Sequence, residues 1–318
     1  MKFGVKKECD YGTDMRIRRT QEHRKRIVSI LECFLFILGS FTNSFGQKVA
    51  QDTTRLQKAA KIDTSSVRRD SLESPRLDSL ISDVPEDEVK EMHQFREVEN
   101  RAFSVGEHLV FDIAYGVINA GTATMSIPDT QWVQGRPCYH VVTTAVSNKF
   151  FSSFFKVQDR AESFIDTEGI FPWKFEKHIR EGKYRSDRYV EYDQRNRRVI
   201  YNKDTLAVSP YIQGVLSSFY YVRTVPLEVK KSFNIDNFGD GKIYPLKVLV
   251  HKKERVRVPA GTFDCIIVEP VLRSEGIFKH KGRMAIWLTD DERRMPVLMK
   301  SKVLVGSIDV RLRSFKLK

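Results

Sequence analysis

Asp290, Asp291 and Glu292 stand in a row and are the side chains of this sequence best placed to do chemistry. Adjacent carboxylates can divide general acid and general base work, or gather around a cation. Arg293 and Arg294 follow at once, and two guanidiniums would neutralise a metal site. The same five residues also make a charged chain reversal, with one Asp capping the turn and one Arg paired to a carboxylate. A reversal on the outside of a sheet has to be charged, so the structural reading is the stronger one.

A second group is basic. Arg180, Lys183, Arg185 and Arg188 alternate with Tyr184 and Tyr189, and Arg195, Arg197, Arg198 and Tyr192 follow. Inside a cell such a run suggests nucleic acid. Behind the export signal described below, nucleic acid drops out, and an anionic glycan, a lipid head group or the cell wall takes its place. Asp187, Glu191 and Asp193 interrupt the charge, which also suits an ordinary solvated sheet face.

The remaining candidates are weaker. Of four cysteines, Cys9 and Cys33 lie in the leader, while Cys138 and Cys265 could close a disulfide in an oxidising compartment. Both fall in mid-strand, where the geometry of a bridge is restrictive, so two buried thiols are the simpler expectation. His108, His140, His178, His251 and His280 sit on separate elements, with no H-x-x-x-H and no cysteine pair to hold a metal. Asp236 to Gly241 lacks the ligand spacing of a calcium loop and ends in the Asp-Gly of a hairpin turn. No nucleophile elbow and no phosphate loop are present. No cofactor is therefore expected.

These residues must be positioned by strands. From Val105 the apolar period is two: Leu109, Phe111, Ile113 and Tyr115, then Ala123, Met125 and Ile127, then Tyr139, Val141 and Thr143. A meander follows over 157–165, 170–180, 183–192 and 198–201. Further strands are expected over 232–235, 242–251, 255–258, 263–271, 283–288, 297–304 and 306–315. Two short helices interrupt them, Lys149 to Phe155 as an aromatic plug at a sheet end and Val215 to Val222 with Leu216, Phe219 and Tyr220 inward. Trp287, in a run apolar on both faces, reads as a core anchor. About a dozen antiparallel strands cannot stay open and flat. The fold class is all-β, a large strongly curved antiparallel sheet or partly closed barrel with two short helices, in one domain over 101–318.

The chain before that domain has other work. Arg16, Arg18, Arg19, Arg24, Lys25 and Arg26 precede an apolar stretch from Ile27 to Phe41, and Ser44-Phe45-Gly46 offers small residues for cleavage. Residues 1–46 thus read as a signal peptide, with Met15 an alternative start. Fifteen apolar residues interrupted by Glu32 are short against the roughly 20 that a spanning helix needs. Cys33 lies mid-stretch behind Glu32 and makes a poor lipidation site. Gln47 to Asn100 is rich in Ser, Thr, Asp, Lys and Arg, and reads as a polar tether with a short helix over 86–99. The net charge of +13 is mostly a matter of solubility.

Several motifs carry a family likeness. V-R-V-P-A-G-T-F-D over 256–264, I-W-L-T-D-D-E-R-R-M-P over 286–296, G-S-I-D-V-R-L over 306–312 and the opening from Gly106 to Ala123 resemble the exported bacterial family called domain of unknown function 3108. The resemblance implies a curved β domain in the cell envelope and brings no established reaction. Two functions follow as expectations. One is a non-enzymatic envelope protein, periplasmic after Sec export, that binds an apolar or amphipathic molecule, a glycan or a partner protein. The other is a hydrolase or transferase on envelope polymers using Asp290, Asp291 and Glu292. For the exported form, N-terminal sequencing of the purified protein by mass spectrometry should begin at Gln47 or within a few residues of it; an intact N-terminus would show that the leader is kept.

Overall fold

In the computed structural model, residues 95–272, 284–302 and 307–318 are described. Fifteen strands make one antiparallel sheet: β1 (His108–Tyr115), β2 (Ile118–Ser126), β3 (Thr130–Val133), β4 (Arg136–Ser147), β5 (Gln158–Asp166), β6 (Pro172–Glu181), β7 (Tyr184–Asp193), β8 (Arg198–Tyr201), β9 (Asp204–Ala207), β10 (Ser232–Gly239), β11 (Lys242–Val258), β12 (Gly261–Leu272), β13 (Met284–Thr289), β14 (Pro296–Lys302) and β15 (Ser307–Lys316). Two helices, α1 (Lys149–Ser152) and α2 (Val215–Thr224), complete the described residues. The path runs β10-β11-β12-β13-β14-β15-β1-β2-β4-β5-β6-β7-β8-β9, so β9 and β10 are its edges.

Those edges meet without a continuous ladder. The segment after β9 bonds to β10 instead: Gln213 N donates to Asp236 O at 2.9 Å, and Phe238 N donates to Gln213 O at 2.8 Å. Ser209 Oγ donates to Asp236 Oδ2 at 2.6 Å. Tyr192 and Tyr201 set their rings edge-on to Phe238, at 6.2 and 5.8 Å. The sheet is therefore a partly closed barrel, joined by a loop and by side chains.

Alternation decides what fills it. Along β6, Trp173, Phe175, Lys177, Ile179 and Glu181 are buried, while Lys174, Glu176, His178 and Arg180 are half-buried on the other face. Trp173 is the largest fully buried side chain. Its indole donates to Asp166 Oδ2 at 2.9 Å, and Asp166 also accepts from Arg136 Nε at 2.8 Å and from the amides of Glu168 and Gly169. Burial pushes the Asp166 carboxyl up, but these donors outweigh it and hold the group below its ordinary range.

One end of the barrel is sealed by a charge. Arg223 of α2, fully buried, donates to Glu107 Oε1 and Oε2 at 2.8 and 2.7 Å and to the carbonyls of Ala102 and Arg293. The rings of Phe103 and Tyr220 lie 5.2 Å from the guanidinium. One side chain thus holds the entry to β1, the helix and the β13–β14 turn together.

Several expectations need correction. Phe95 to Glu99 is not helical; Val98 N donates to Glu168 O at 2.8 Å, so the chain already packs there. The rest of that expected helix, the tether and the signal segment lie outside the described residues. The strands expected over 242–251 and 255–258 are one, β11, continued through a bulge between Val250 and Lys253. Helix α1 stops at Ser152, and it does not plug the barrel: Phe150 and Phe154 face solvent. Trp287 is half-buried on the outer face, donating to Glu254 Oε1 at 2.6 Å, while Ile286 and Leu288 point to the core.

The buried pair yields a prediction. Replacing Glu107 by Gln strips a buried guanidinium of its countercharge, which typically costs about 3–5 kcal/mol. Urea unfolding of Glu107→Gln should show that loss, while Glu292→Gln, at an exposed pair with Arg101, should leave the midpoint unmoved.

Candidate functional site

Each acid of the acid-rich turn is hydrogen-bonded or ion-paired. Asp291 Oδ1 accepts from Thr289 Oγ1 at 2.6 Å and from the amides of Arg293 and Arg294 at 3.0 and 3.1 Å, which is a capped reversal. Asp290 pairs with Lys253 at 2.7 Å and Glu292 with Arg101 at 3.2 Å. Arg294 donates to the carbonyls of Arg223 and Val225, and Arg293 Nη2 to Lys318 O at 3.3 Å. The three acids have three separate partners and do not converge on a common point.

The two cysteines are free and buried, on β4 and β12. The disulfide is absent because the sheet order sets five strands between them. Burial raises both thiols to about 12, so neither offers a thiolate near neutral pH.

The structure divides the basic meander between two faces. Arg180 Nη2 donates to Asp187 Oδ1 at 2.6 Å on the outer face, and Arg185 Nη1 folds back onto Gly182 O and Tyr184 O. Lys183 is exposed at the β6–β7 turn. Arg188 instead pairs with Asp240 of the β10–β11 turn, opposite Lys177. Period two separates Arg185 from Arg188, so the four cations share no single surface.

Inside, Arg188 belongs to a buried polar group. Asp159, Lys177 and Glu181 are all nearly inaccessible. Burial raises the Asp159 carboxyl, against hydrogen bonds from the Arg180 amide and Glu181. Burial lowers Lys177 to about 8, although Asp240, Asp159 and Glu181 oppose the shift.

Outside, the same strands carry imidazoles and carboxylates. Glu162 on β5 faces Glu176 on β6 directly across the ladder. One donor atom from each of Glu162, Glu176 and His178 lies within 4.8 Å of the others. His178 Nδ1 is 2.7 Å from Asp187 Oδ1, and its Nε2 is 3.8 Å from Glu176 Oε2. His140 Nε2 is 2.6 Å from Glu162 Oε2, its ring stacked on Phe164 at 4.9 Å. Burial pushes Glu162 up, but Arg160 and His140 outweigh it and hold the carboxyl below its ordinary range.

A third feature is the end of the sheet away from the Asp290 turn. Asn148 N donates to Ala120 O and Asn148 Nδ2 to Asn119 O, which sets α1 against the β1–β2 turn. Gly182 N donates to Lys156 O, and Phe155 packs on Gly182 so closely that a Cβ there would lie 2.9 Å from the ring. The three tips therefore lie side by side. They expose Val117, Ile118, Phe150, Phe154 and Tyr184. Lys149, Lys156, Lys183 and Arg185 are exposed among them, and residues 116–119, 148–156 and 182–185 contain no carboxylate.

Reading the sequence missed Glu162, Glu176, Asp159 and Lys177. The available signal was Glu176-x-His178, two ligand types one period apart on a strand.

Residues 110–313 match the model of a family described as protein of unknown function (DUF3108), and the chain belongs to that family. No curated protein matches. Among solved structures, a β-barrel-like protein of domain of unknown function DUF1849 from Brucella abortus is similar at a TM-score of 0.47 and 11% identity, over 71% of this chain and all of that one. A provisionally described lipoprotein from Parabacteroides distasonis aligns at 0.33 and 12%, over 70% of this chain and all of that one.

Lys177 gives a prediction with a definite sign. Its folded pKa lies below the unfolded value, so charging it costs stability at neutral pH, and that cost vanishes as pH rises from about 8 towards 10.5. Relative to Lys177→Met, the wild type should gain on the order of 3 kcal/mol across that window in urea unfolding. A flat difference would show that the amine is not desolvated.

Proposed function

We propose that this protein is a non-catalytic component of the cell envelope, exported to the periplasm after loss of residues 1–46, that binds an anionic amphipathic lipid surface. The observation carrying the proposal is the end formed by the β1–β2 turn, α1 and the β6–β7 turn. Val117 is 99% exposed, Phe150 65% and Phe154 67%, all at one end, whereas the other described apolar residues mostly fill the barrel. Contiguous apolar tips mark interaction sites. Four cations without a carboxylate among the tips complement an anionic surface, and rings with lysines beside them suit the interfacial depth of a bilayer.

The hydrolase reading loses its support. Asp290, Asp291 and Glu292 are spent on Lys253, on the turn and on Arg101.

Sedimentation with vesicles tests the proposal. The full chain should bind phosphatidylglycerol-containing vesicles and not pure phosphatidylcholine, with binding weakened by salt. The pair Phe150→Ser and Phe154→Ser should lower binding at least tenfold, about 1.4 kcal/mol, without lowering the melting temperature. Equal binding by that variant, or no preference for anionic vesicles, would overturn it.

A further inference from the structure

We propose that Glu162, Glu176 and His178 form a binding site for a divalent transition ion of the zinc type on the outer face of β5 and β6.

The pairing of β5 with β6 makes the first argument. Glu162 and Glu176 are direct partners, and like charges so placed destabilise a sheet. An ion between them turns that repulsion into ligation. Each carboxylate keeps one oxygen on a neighbouring cation: Glu162 Oε1 on Arg160 at 2.6 Å and Glu176 Oε1 on Lys174 at 2.5 Å. Ligating carboxylates are commonly held this way from outside. The second oxygen of Glu176 faces His178, and that of Glu162 takes His140. A carboxylate oxygen has two lone pairs, so Glu162 can hold His140 and an ion together.

The second argument is the orientation of the imidazole. In the neutral tautomer that donates Nδ1–H to Asp187, the Nε2 lone pair of His178 faces Glu176. A carboxylate behind the distal nitrogen is the usual arrangement for a metal-ligating histidine. Asp187 is thus a positioning residue.

The third argument is fit. Zinc bonds to oxygen and nitrogen at about 2.0–2.2 Å, which puts ligand atoms about 3.3–3.6 Å apart in a tetrahedron. The observed donors lie within 4.8 Å, so small side-chain rotations close the gap. The three side chains retain 13%, 19% and 27% of their accessibility, which leaves a path for the ion and a position for water. One imidazole with two carboxylates favours zinc over magnesium or calcium, which prefer oxygen alone.

The test uses the full chain, stripped with EDTA and titrated with Zn²⁺ by calorimetry, with melting temperature as a second readout. One ion per chain should bind and raise the melting temperature, with Mg²⁺ and Ca²⁺ at least tenfold weaker. Glu176→Gln and His178→Gln should each weaken Zn²⁺ binding at least tenfold, while neither metal-free form melts below the wild type. Asp187→Asn should weaken it about tenfold by freeing the ring, and His251→Ala, at a separate histidine–glutamate pair, should change nothing. If Glu176→Gln fails to fold, His178→Gln decides. No saturable Zn²⁺ binding by the wild type, or equal affinity in the folded variants, would overturn the site and leave the cluster as a salt-bridge network.

Discussion

The contact between Arg223 and Glu107 is the constraint on which this barrel depends. A fully buried guanidinium is tolerable only when its charge is met and most of its N–H groups find acceptors. Glu107 meets the charge, and the carbonyls of Ala102 and Arg293 take two further bonds. Those acceptors come from two segments far apart in sequence, and the donor from a third. Satisfying one side chain therefore brings the entry to β1, helix α2 and the β13–β14 turn to one place. Arg294 returns the contact by donating to Arg223 O, so the turn and the helix hold each other. This accounts for the charged residues that stand at that turn.

Closure elsewhere follows from the same economy of polar groups. Edge strands β9 and β10 would present unpaired amides, and the segment between β9 and α2 covers part of that edge through Gln213. The barrel interior is filled with side chains from Leu109, Phe111, Ile165 and Val199 to Tyr220. Outside that packing stand the ends and the outer face. Chemistry-bearing groups do collect there, on strands whose two sides are fully differentiated by period two.

How much of this was legible depends on range. Asp240-Gly241 reads as a hairpin turn in the sequence, and both residues take positive φ, 48° and 79°. The all-β class and most strands follow from alternation, which is local. Trp287 and Trp173 show where local reading stops. Both sit in apolar runs, yet Trp287 lies on the outer face beside Lys300, while Trp173 is buried against Asp166. The difference lies in what covers each face, which the run itself does not encode. Phe150 and Phe154 show the converse, since aromatic content suggests burial and yet both rings face solvent. Glu162 and Glu176 were invisible because only the β5–β6 register sets them opposite each other.

That register also explains why these strands carry two unlike environments. A bulge between Phe164 and Ile165 fixes the pairing, so a slip by one residue would exchange the faces. Lys177 and Asp159 would then reach solvent, and Glu176 and His178 would enter the core. Burying Asp159, Lys177 and Glu181 costs stability, but these groups oppose each other's desolvation inside, just as Arg160 and Lys174 offset the carboxylates outside. A slipped sheet would lose both sets of partners at once. The charged residues of the meander are thus a device for setting register, and the half-buried cluster of Glu162, Glu176 and His178 inherits its geometry from the buried charges behind it.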